Sequence, residues 1–170
     1  MRIAYTMAAG RGDTDLLLAG LAERLAAAGK ATCGTVQINT ETGPDRPCHM
    51  DIKVLPDGPV LRISQSLGTA SKGCRLDPNA LEAAVGHAQA RFDAGADAVI
   101  INKFGKHEAE GRGFRELIAA ALEAEVPVLV GTNALNLPAF LDFTQGLAEA
   151  LPPEPEALWD WFADALNGGA

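Results

Sequence analysis

Several cationic side chains follow a short apolar stretch in the middle of the chain. Residues 98–101 read Ala-Val-Ile-Ile, and the segment after them carries Lys103, Lys106, His107, Arg112 and Arg115. A continuous apolar run of this length is typical of a buried parallel strand. Ligands of open α/β sheets bind beyond the carboxyl ends of such strands. The pattern therefore predicts an anion-binding site at this strand end.

The same segment contains groups that would neutralise those cations internally. Glu108 and Glu110 lie among the basic residues, so the charges could simply pair with one another in a solvated loop. Gly105, Gly111 and Gly113 favour the anion site, because glycine lets the backbone approach a ligand closely. Both interpretations stay open at the level of the sequence.

A second segment also suits an anion, since residues 58–76 contain no acidic side chain. A tetrahedral oxyanion offers several acceptors and no donors, so hydroxyls, backbone amides and a few cations can hold it. A flexible polar loop is the alternative. The candidate ligand-binding residues here are Ser64, Ser66, Ser71, Lys72 and Arg75, which we expect to form one electropositive pocket with the cations after residue 101.

The first predicted strand and helix are joined by a glycine-containing segment, residues 7–14, which read Met-Ala-Ala-Gly-Arg-Gly-Asp-Thr. Loops of the form Gly-x-x-x-x-Gly-Lys-[Ser/Thr] curl backbone N–H groups around phosphate at a helix N-terminus. In that alignment Asp13 takes the lysine position, where a carboxylate repels phosphate. An ordinary strand-to-helix turn is thus as good an interpretation as an anion site built from Gly10, Arg11, Gly12 and Thr14.

Cys48, His49 and Cys74 are the candidate metal ligands, because thiolate and imidazole suit zinc or copper(I). Their spacing matches no recurring structural zinc pattern, and Asp51 would have to complete the site. Loop thiols and a surface histidine are the favoured interpretation, so no metal cofactor is expected. Three cysteines also form no even disulfide framework and are expected to be reduced in the cytoplasm.

Periodicity and turn residues predict the elements that position these groups. An α/β fold with a mostly parallel sheet covered on both faces is expected, as a three-layer sandwich with a β-hairpin insertion at about residues 35–64. The aromatic residues of the last helix are expected in the core or at an interface. Strands are predicted at 3–6, 35–39, 52–55, 60–64, 98–101 and 128–130, and helices at 15–28, 80–94, 114–124, 139–150 and 156–166.

Composition and net charge limit the classes of molecule that the protein can bind. The 170 residues carry a net charge of −8 and 48% hydrophobic residues, which indicates a folded domain without a general basic surface. We expect a single domain over 1–170, no nucleic-acid partner, no membrane insertion and a cytoplasmic location, since the amino terminus enters a strand directly. The expected partners are a small anionic ligand and either a second copy of the chain or a protein of a transport or cofactor pathway.

Two resemblances sharpen these expectations. Three stretches resemble small P-loop nucleoside-triphosphatases: residues 3–16, the hairpin segment from Gly34, and residues 99–108. In that family the later strand ends in Asp-Glu-Ile-Gly-Lys-Met-Glu, so Asn102 and Lys103 replace the acidic pair that holds Mg²⁺ and orients water. Nearly the whole chain is similar to an uncharacterised bacterial family of P-loop-like domains that tend to be encoded beside molybdate-transport genes. The stretches that carry this similarity are residues 48–51, 63–68, 73–77 and 102–115.

These resemblances imply a P-loop-NTPase-like fold and three functional hypotheses. The leading one is an oxyanion-binding or phosphate-group-binding protein with degenerate hydrolysis motifs, for which molybdate or tungstate is the candidate ligand. The second is a divergent nucleoside-triphosphatase or phosphoryl-transfer enzyme that uses Arg11, Lys103 or Lys106 in place of the missing lysine. The third is an adaptor or regulatory subunit of molybdate transport or of a cofactor pathway.

Overall fold

The structure is a computed structural model that describes residues 1–65 and 75–168. Its strands are β1 (Ile3–Thr6), β2 (Thr32–Thr40), β3 (His49–Val54), β4 (Val60–Arg62), β5 (Ala98–Ile101), β6 (Val128–Gly131) and β7 (Glu149–Leu151). They form a seven-stranded sheet in the order β4-β3-β2-β5-β6-β1-β7. The pairs β2–β5, β5–β6, β6–β1 and β1–β7 are parallel. Strands β3 and β4 are antiparallel additions at one edge.

Helices cover both faces of the sheet. They are α1 (Asp13–Ala27), α2 (Pro78–Asp93), α3 (Lys106–Ala109), α4 (Arg115–Glu123), α5 (Leu137–Phe143) and α6 (Pro155–Asn167). Alternate residues of β5 face opposite layers: Val99 and Ile101 pack in the core with α2, α4 and α5, while Ala98 and Ile100 pack with α1 and α6. Such a strand is apolar throughout because both faces are buried. The predicted three-layer α/β architecture is confirmed.

The predicted hairpin insertion is confirmed, and it grows out of a longer strand than expected. The first part of β2, residues 32–35, pairs in parallel with β5, and its second part, from Thr35 to Thr40, pairs antiparallel with β3. Because Thr35 is opposite Ile101, the last residues of β2 extend past the carboxyl end of β5. Polar side chains of β2 thereby reach the edge where a ligand would sit.

The predicted helix over residues 139–150 is wrong in its second half. Helix α5 ends at Phe143, Gln145 and Gly146 take positive φ angles of 53° and 72°, and β7 follows. Glu149 and Ala150 favour helix locally. Parallel pairing of β7 with β1 overrides that preference, because it completes the hydrogen bonds along this side of β1. Local propensity could not reveal so short an edge strand.

The expectation for the aromatic residues of α6 is confirmed as core packing. Trp161 and Phe162 are 6% and 0% exposed, and Trp159 packs at the border of the same cluster. The guanidinium of Arg24 lies 4.2 Å from the ring centre of Trp159, an arrangement that cation–π attraction stabilises. Among the described residues, every helix is too short or too polar to cross a membrane.

Candidate functional site

The glycine-containing segment forms a defined turn between β1 and α1. Gly12 adopts a left-handed conformation with φ at 78°, which glycine reaches without steric cost, and its carbonyl accepts the N–H of Leu16 over 3.1 Å. The backbone N–H of Ala8 donates to the hydroxyl oxygen of Thr14 over 2.9 Å. The turn therefore places the start of a 15-residue helix at the carboxyl edge of the sheet, as in a phosphate-binding loop.

Asp13 changes the chemistry of this turn. A Cβ atom on Gly10 would overlap the Asp13 carboxylate, so the carboxylate folds back onto the turn and lies directly against the backbone at Gly10. A negative charge therefore occupies the mouth of the turn, where a phosphate-binding loop carries its lysine. The sequence predicted the sign of this charge but not its position over Gly10.

A polar cluster adjoins the turn at the ends of β5 and β2. Asn102 is 4% exposed, and its side-chain amide donates to Oδ1 of Asp15 over 2.9 Å. The Asn102 oxygen accepts the backbone N–H of Gln37 over 3.0 Å, and the amide of Asn39 donates to Oδ2 of Asp15 over 2.7 Å. The Asp15 carboxylate therefore lies beside the end of β5, although it belongs to α1 and not to the strand end.

Sequence reasoning missed Asp15, Gln37 and Asn39 as site residues. The available signal was the alternation of polar residues at the end of β2, because strands at an α/β ligand edge carry polar groups there. Close packing joins the cluster to the turn: a Cβ on Gly131 would overlap the Asn102 carbonyl and lie 3.1 Å from Thr14 Cγ2. Lys103, next in the chain, is exposed at this same edge.

The cations after Lys103 engage carboxylates nearby. Lys106 Nζ lies 3.9 Å from Glu110 Oε1, and Arg112 bonds the other oxygen of Glu110 over 2.7 Å, which lowers the pKa of that carboxyl below its ordinary value. His107 Nε2 lies 3.8 Å from Oε1 of Glu82 in α2. These contacts are those expected of a loop whose charges pair with one another.

Buried Glu108 organises the backbone of this loop. Its carboxylate oxygens accept the N–H groups of Gly105 over 3.0 Å and Phe114 over 3.3 Å. Burial raises the pKa of Glu108 above its ordinary value, and these two hydrogen bonds oppose that rise. Arg115 donates to the Glu108 carbonyl over 3.2 Å and lies 4.7 Å from the ring centre of Phe143. Arg115 therefore holds the loop against α5.

The second predicted anion segment is described at its two ends. Ser64 pairs with Leu76 and its hydroxyl oxygen accepts the N–H of Met50 over 3.0 Å, while Arg75 donates to the Cys48 carbonyl over 2.6 Å. None of the hydrogen bonds or ion pairs within residues 1–65 and 75–168 joins Ser64 or Arg75 to the cationic loop, which is residues 103–115. The other candidates of this segment, Ser66, Ser71 and Lys72, lie outside the described residues.

The weak metal candidates acquire no support. No group of three or more histidine, cysteine or acidic side chains in the described part of the chain has metal-binding geometry. Cys48 is half-buried and His49 exposed, and Cys74 lies outside the described residues. Cys33 is buried, and burial raises the pKa of its thiol to about 11. That thiol is protonated at neutral pH and donates to the Ala88 carbonyl.

The sheet order and the turn before α1 define a P-loop-NTPase-like α/β fold. The chain belongs to the family described as "Protein of unknown function (DUF2478)", whose family model matches residues 3–161. This match confirms the predicted resemblance to an uncharacterised family.

Two known proteins are similar to the chain. It is 33% identical over 166 residues to the "Molybdenum import ATP-binding protein ModC 2" of Bradyrhizobium diazoefficiens, a match that covers 98% of this chain and 18% of that protein. The chain therefore spans about a fifth of the relative's length. A solved human cancer-related nucleoside triphosphatase aligns with a TM-score of 0.59 over 99% of this chain and 97% of that chain, at 16% identity. This second likeness establishes the fold alone.

Proposed function

We propose that this chain binds an oxyanion or the phosphate group of a small molecule at the carboxyl edge of β1 and β5, in the cytoplasm, without hydrolysing nucleoside triphosphates. The observation that supports this most is the turn with left-handed Gly12, which directs the N-terminus of α1 at the proposed site. Molybdate or tungstate is the candidate ligand, because the relative with 33% identity is named for molybdenum import.

Two cations suit this site. Arg11 lies in the turn and Lys103 follows the buried Asn102, and both side chains belong to exposed residues at the sheet edge. Neither is among the cations that form ion pairs within the described residues. A compact dianion needs two or three such donors, whereas a triphosphate would also bring its charge against Asp13. The proposed site therefore favours a small dianion.

Hydrolysis provides the first prediction. Mg²⁺-dependent catalysis by P-loop enzymes needs the loop lysine and a strand-end carboxylate that organises the metal. Asp13 replaces the lysine, and the Asn102 amide is bonded to Asp15. We expect no ATP or GTP turnover above the buffer rate in a phosphate-release assay. Robust turnover that disappears in Asn102→Ala would instead support the divergent phosphoryl-transfer enzyme.

Anion titration provides the second prediction. Calorimetric titration with molybdate, tungstate and sulfate should give saturable heat, and ATP should bind more weakly. Arg11→Ala and Lys103→Ala should each weaken the tightest anion by about one decade, since a charge-assisted hydrogen bond contributes about 1.5–3 kcal/mol.

Lys106→Ala is the matched control for this titration, because Lys106 carries the same charge but lies beside Glu110. A larger loss in Lys106→Ala or Arg75→Ala than in Arg11→Ala would move the site to the cationic loop and the Ser64 segment. Saturable heat with a nucleotide alone would contradict oxyanion binding.

One observation favours an adaptor role as a second candidate. The 33%-identical relative is about five times longer than the matched segment, so a region like this chain is covalently joined there to the rest of a molybdenum import ATP-binding protein. Regions joined in one protein often interact when they occur as separate chains. Adding this chain to such an ATP-binding protein should then change its rate of ATP hydrolysis, and an unchanged rate at saturating concentration would count against the adaptor.

A further inference from the structure

A half-open groove of about 560 Å³ runs along α1, and Ala8, Ala9 and Gly10 of the glycine-containing turn also line it. Its floor is α1 from Asp13 to Arg24, and the connector at Pro153 and Pro155 forms the opposite wall. These twelve helical residues are separated by eleven rises of about 1.5 Å, which makes the groove about 16 Å long. A groove of that length can hold about three turns of a helical peptide.

The lining of the groove is mostly apolar and includes one highly exposed leucine. Leu17 and Leu21 line its floor, Pro153 and Pro155 its side, and Leu16 stands at the rim with 73% of its surface exposed. Single exposed leucines are normal on a protein surface. Here the leucine continues an apolar lining, so a partner that covers the groove would remove Leu16 from water.

The charged side chains along the groove leave a net negative charge. The Arg24 guanidinium is held by both oxygens of Glu156, at 2.8 and 3.3 Å, and so is neutralised. Within residues 1–65 and 75–168 no cation pairs with the carboxylate of Asp13, which lines the other end. The groove therefore offers apolar walls with one uncompensated negative charge.

We propose that this groove docks a basic amphipathic segment of a partner protein, with apolar side chains against α1 and a lysine or arginine at Asp13. Charge complementarity selects this occupant. A second copy of this chain carries the same net charge of −8 and would be repelled, whereas a basic segment would be attracted. The proposal goes beyond anion binding, because the occupant is a basic segment of a protein, although the groove and the turn share Gly10.

The partner's cation would also act on the neighbouring turn. Asp13 lies against Gly10, so a positive charge placed on Asp13 reduces the repulsion that any anion meets at the turn. Docking and anion binding would then favour one another by linkage.

A pair of model peptides tests the docking site without knowledge of the natural partner. A helical leucine–lysine peptide should bind the intact chain, whereas a leucine–glutamate peptide of the same pattern should not. Fluorescence anisotropy gives the affinities, and NMR shift mapping should place the largest changes at Leu16, Leu17 and Gly20.

Two variant pairs separate docking from general attraction to an acidic protein. Gly20→Trp fills the groove, and Gly86→Trp is its control, because both are exposed helical glycines with open space at the Cβ position. We expect Gly20→Trp to weaken the leucine–lysine peptide at least about tenfold and Gly86→Trp to leave it unchanged. Asp13→Asn should weaken it about fivefold, and Glu23→Gln, on the same helix, much less.

The outcomes divide cleanly. Equal effects of Gly20→Trp and Gly86→Trp, or of Asp13→Asn and Glu23→Gln, would show nonspecific attraction and overturn the proposal. Binding of both peptides alike would overturn its charge argument. A dimer in sedimentation that Gly20→Trp dissociates would assign the groove to a second copy instead.

Discussion

Gly34→Ala is expected to destabilise the protein by about 3 kcal/mol or more, since overpacking and positive-φ strain each cost about 1–3 kcal/mol. Gly34 lies in β2 with φ at 106°, and a Cβ there would overlap the Ile100 carbonyl of β5. An alanine must either force β2 away from β5 or change its own backbone angle. Both strands are central in the sheet, so the loss should appear as a lower midpoint in urea unfolding.

Gly86→Ala is the matched control for that experiment. Gly86 is an exposed position in the middle of α2, and nothing lies within 4 Å of the Cβ position. Alanine there should stabilise the helix by about 0.5–1 kcal/mol, because glycine loses more conformational freedom on folding. Equal midpoints for Gly34→Ala and the wild type would mean that β2 and β5 are not paired closely in solution.

Sequence patterns were sufficient where local and tertiary signals agree. The bounds of β1 and β5 were predicted as observed, because a short apolar run next to a glycine or a charged residue has few alternatives. The two signals also agree at the start of α2, where Asp77 precedes Pro78 and its carboxylate accepts the N–H groups of Asn79 and Ala80. At β7 the local propensity favours helix, whereas pairing with β1 imposes a strand, so the prediction from sequence was wrong there.

The site was harder to predict, since it depends on which charged groups face each other. Sequence order places Lys106 and Arg112 on either side of Glu110, yet only the fold shows that one carboxylate contacts both. Asp15 and Asn102 are far apart in sequence and become bonded because α1 starts beside the end of β5. No periodic pattern encodes that pairing.

Asp13 links both proposals in this protein. Its carboxylate lies against the turn that would hold an anion and also lines the groove that would hold a basic segment. A sequence comparison with phosphate-binding loops describes Asp13 only as a lost lysine. Its position in the fold instead suggests a group that is neutralised when a partner docks, which is why Asp13→Asn is informative in both the anion and the peptide titrations.

Glu108→Ala should be the other strongly destabilising substitution, with a loss of about 2–4 kcal/mol, because each buried donor left unpaired costs about 1–3 kcal/mol. Glu108 is 3% exposed and accepts the N–H groups of Gly105 and Phe114, so its removal frees both ends of the cationic loop. Glu110→Ala, two residues on and exposed, is the control and should change stability little. Chemical denaturation of the three proteins measures the difference.

The dependence of stability on pH distinguishes the charge of Glu108 from its hydrogen bonds. Burial raises the pKa of the folded carboxyl above the ordinary glutamate value of 4.5. Between those two pKa values the folded state keeps its proton while the unfolded state has lost it, so stability falls as pH rises through this window and is level above it. Glu108→Gln stays neutral in both states and should lose that slope, while keeping one acceptor for Gly105 or Phe114. A wild-type stability that instead rises through the window would mean that the hydrogen bonds to the carboxylate outweigh its burial.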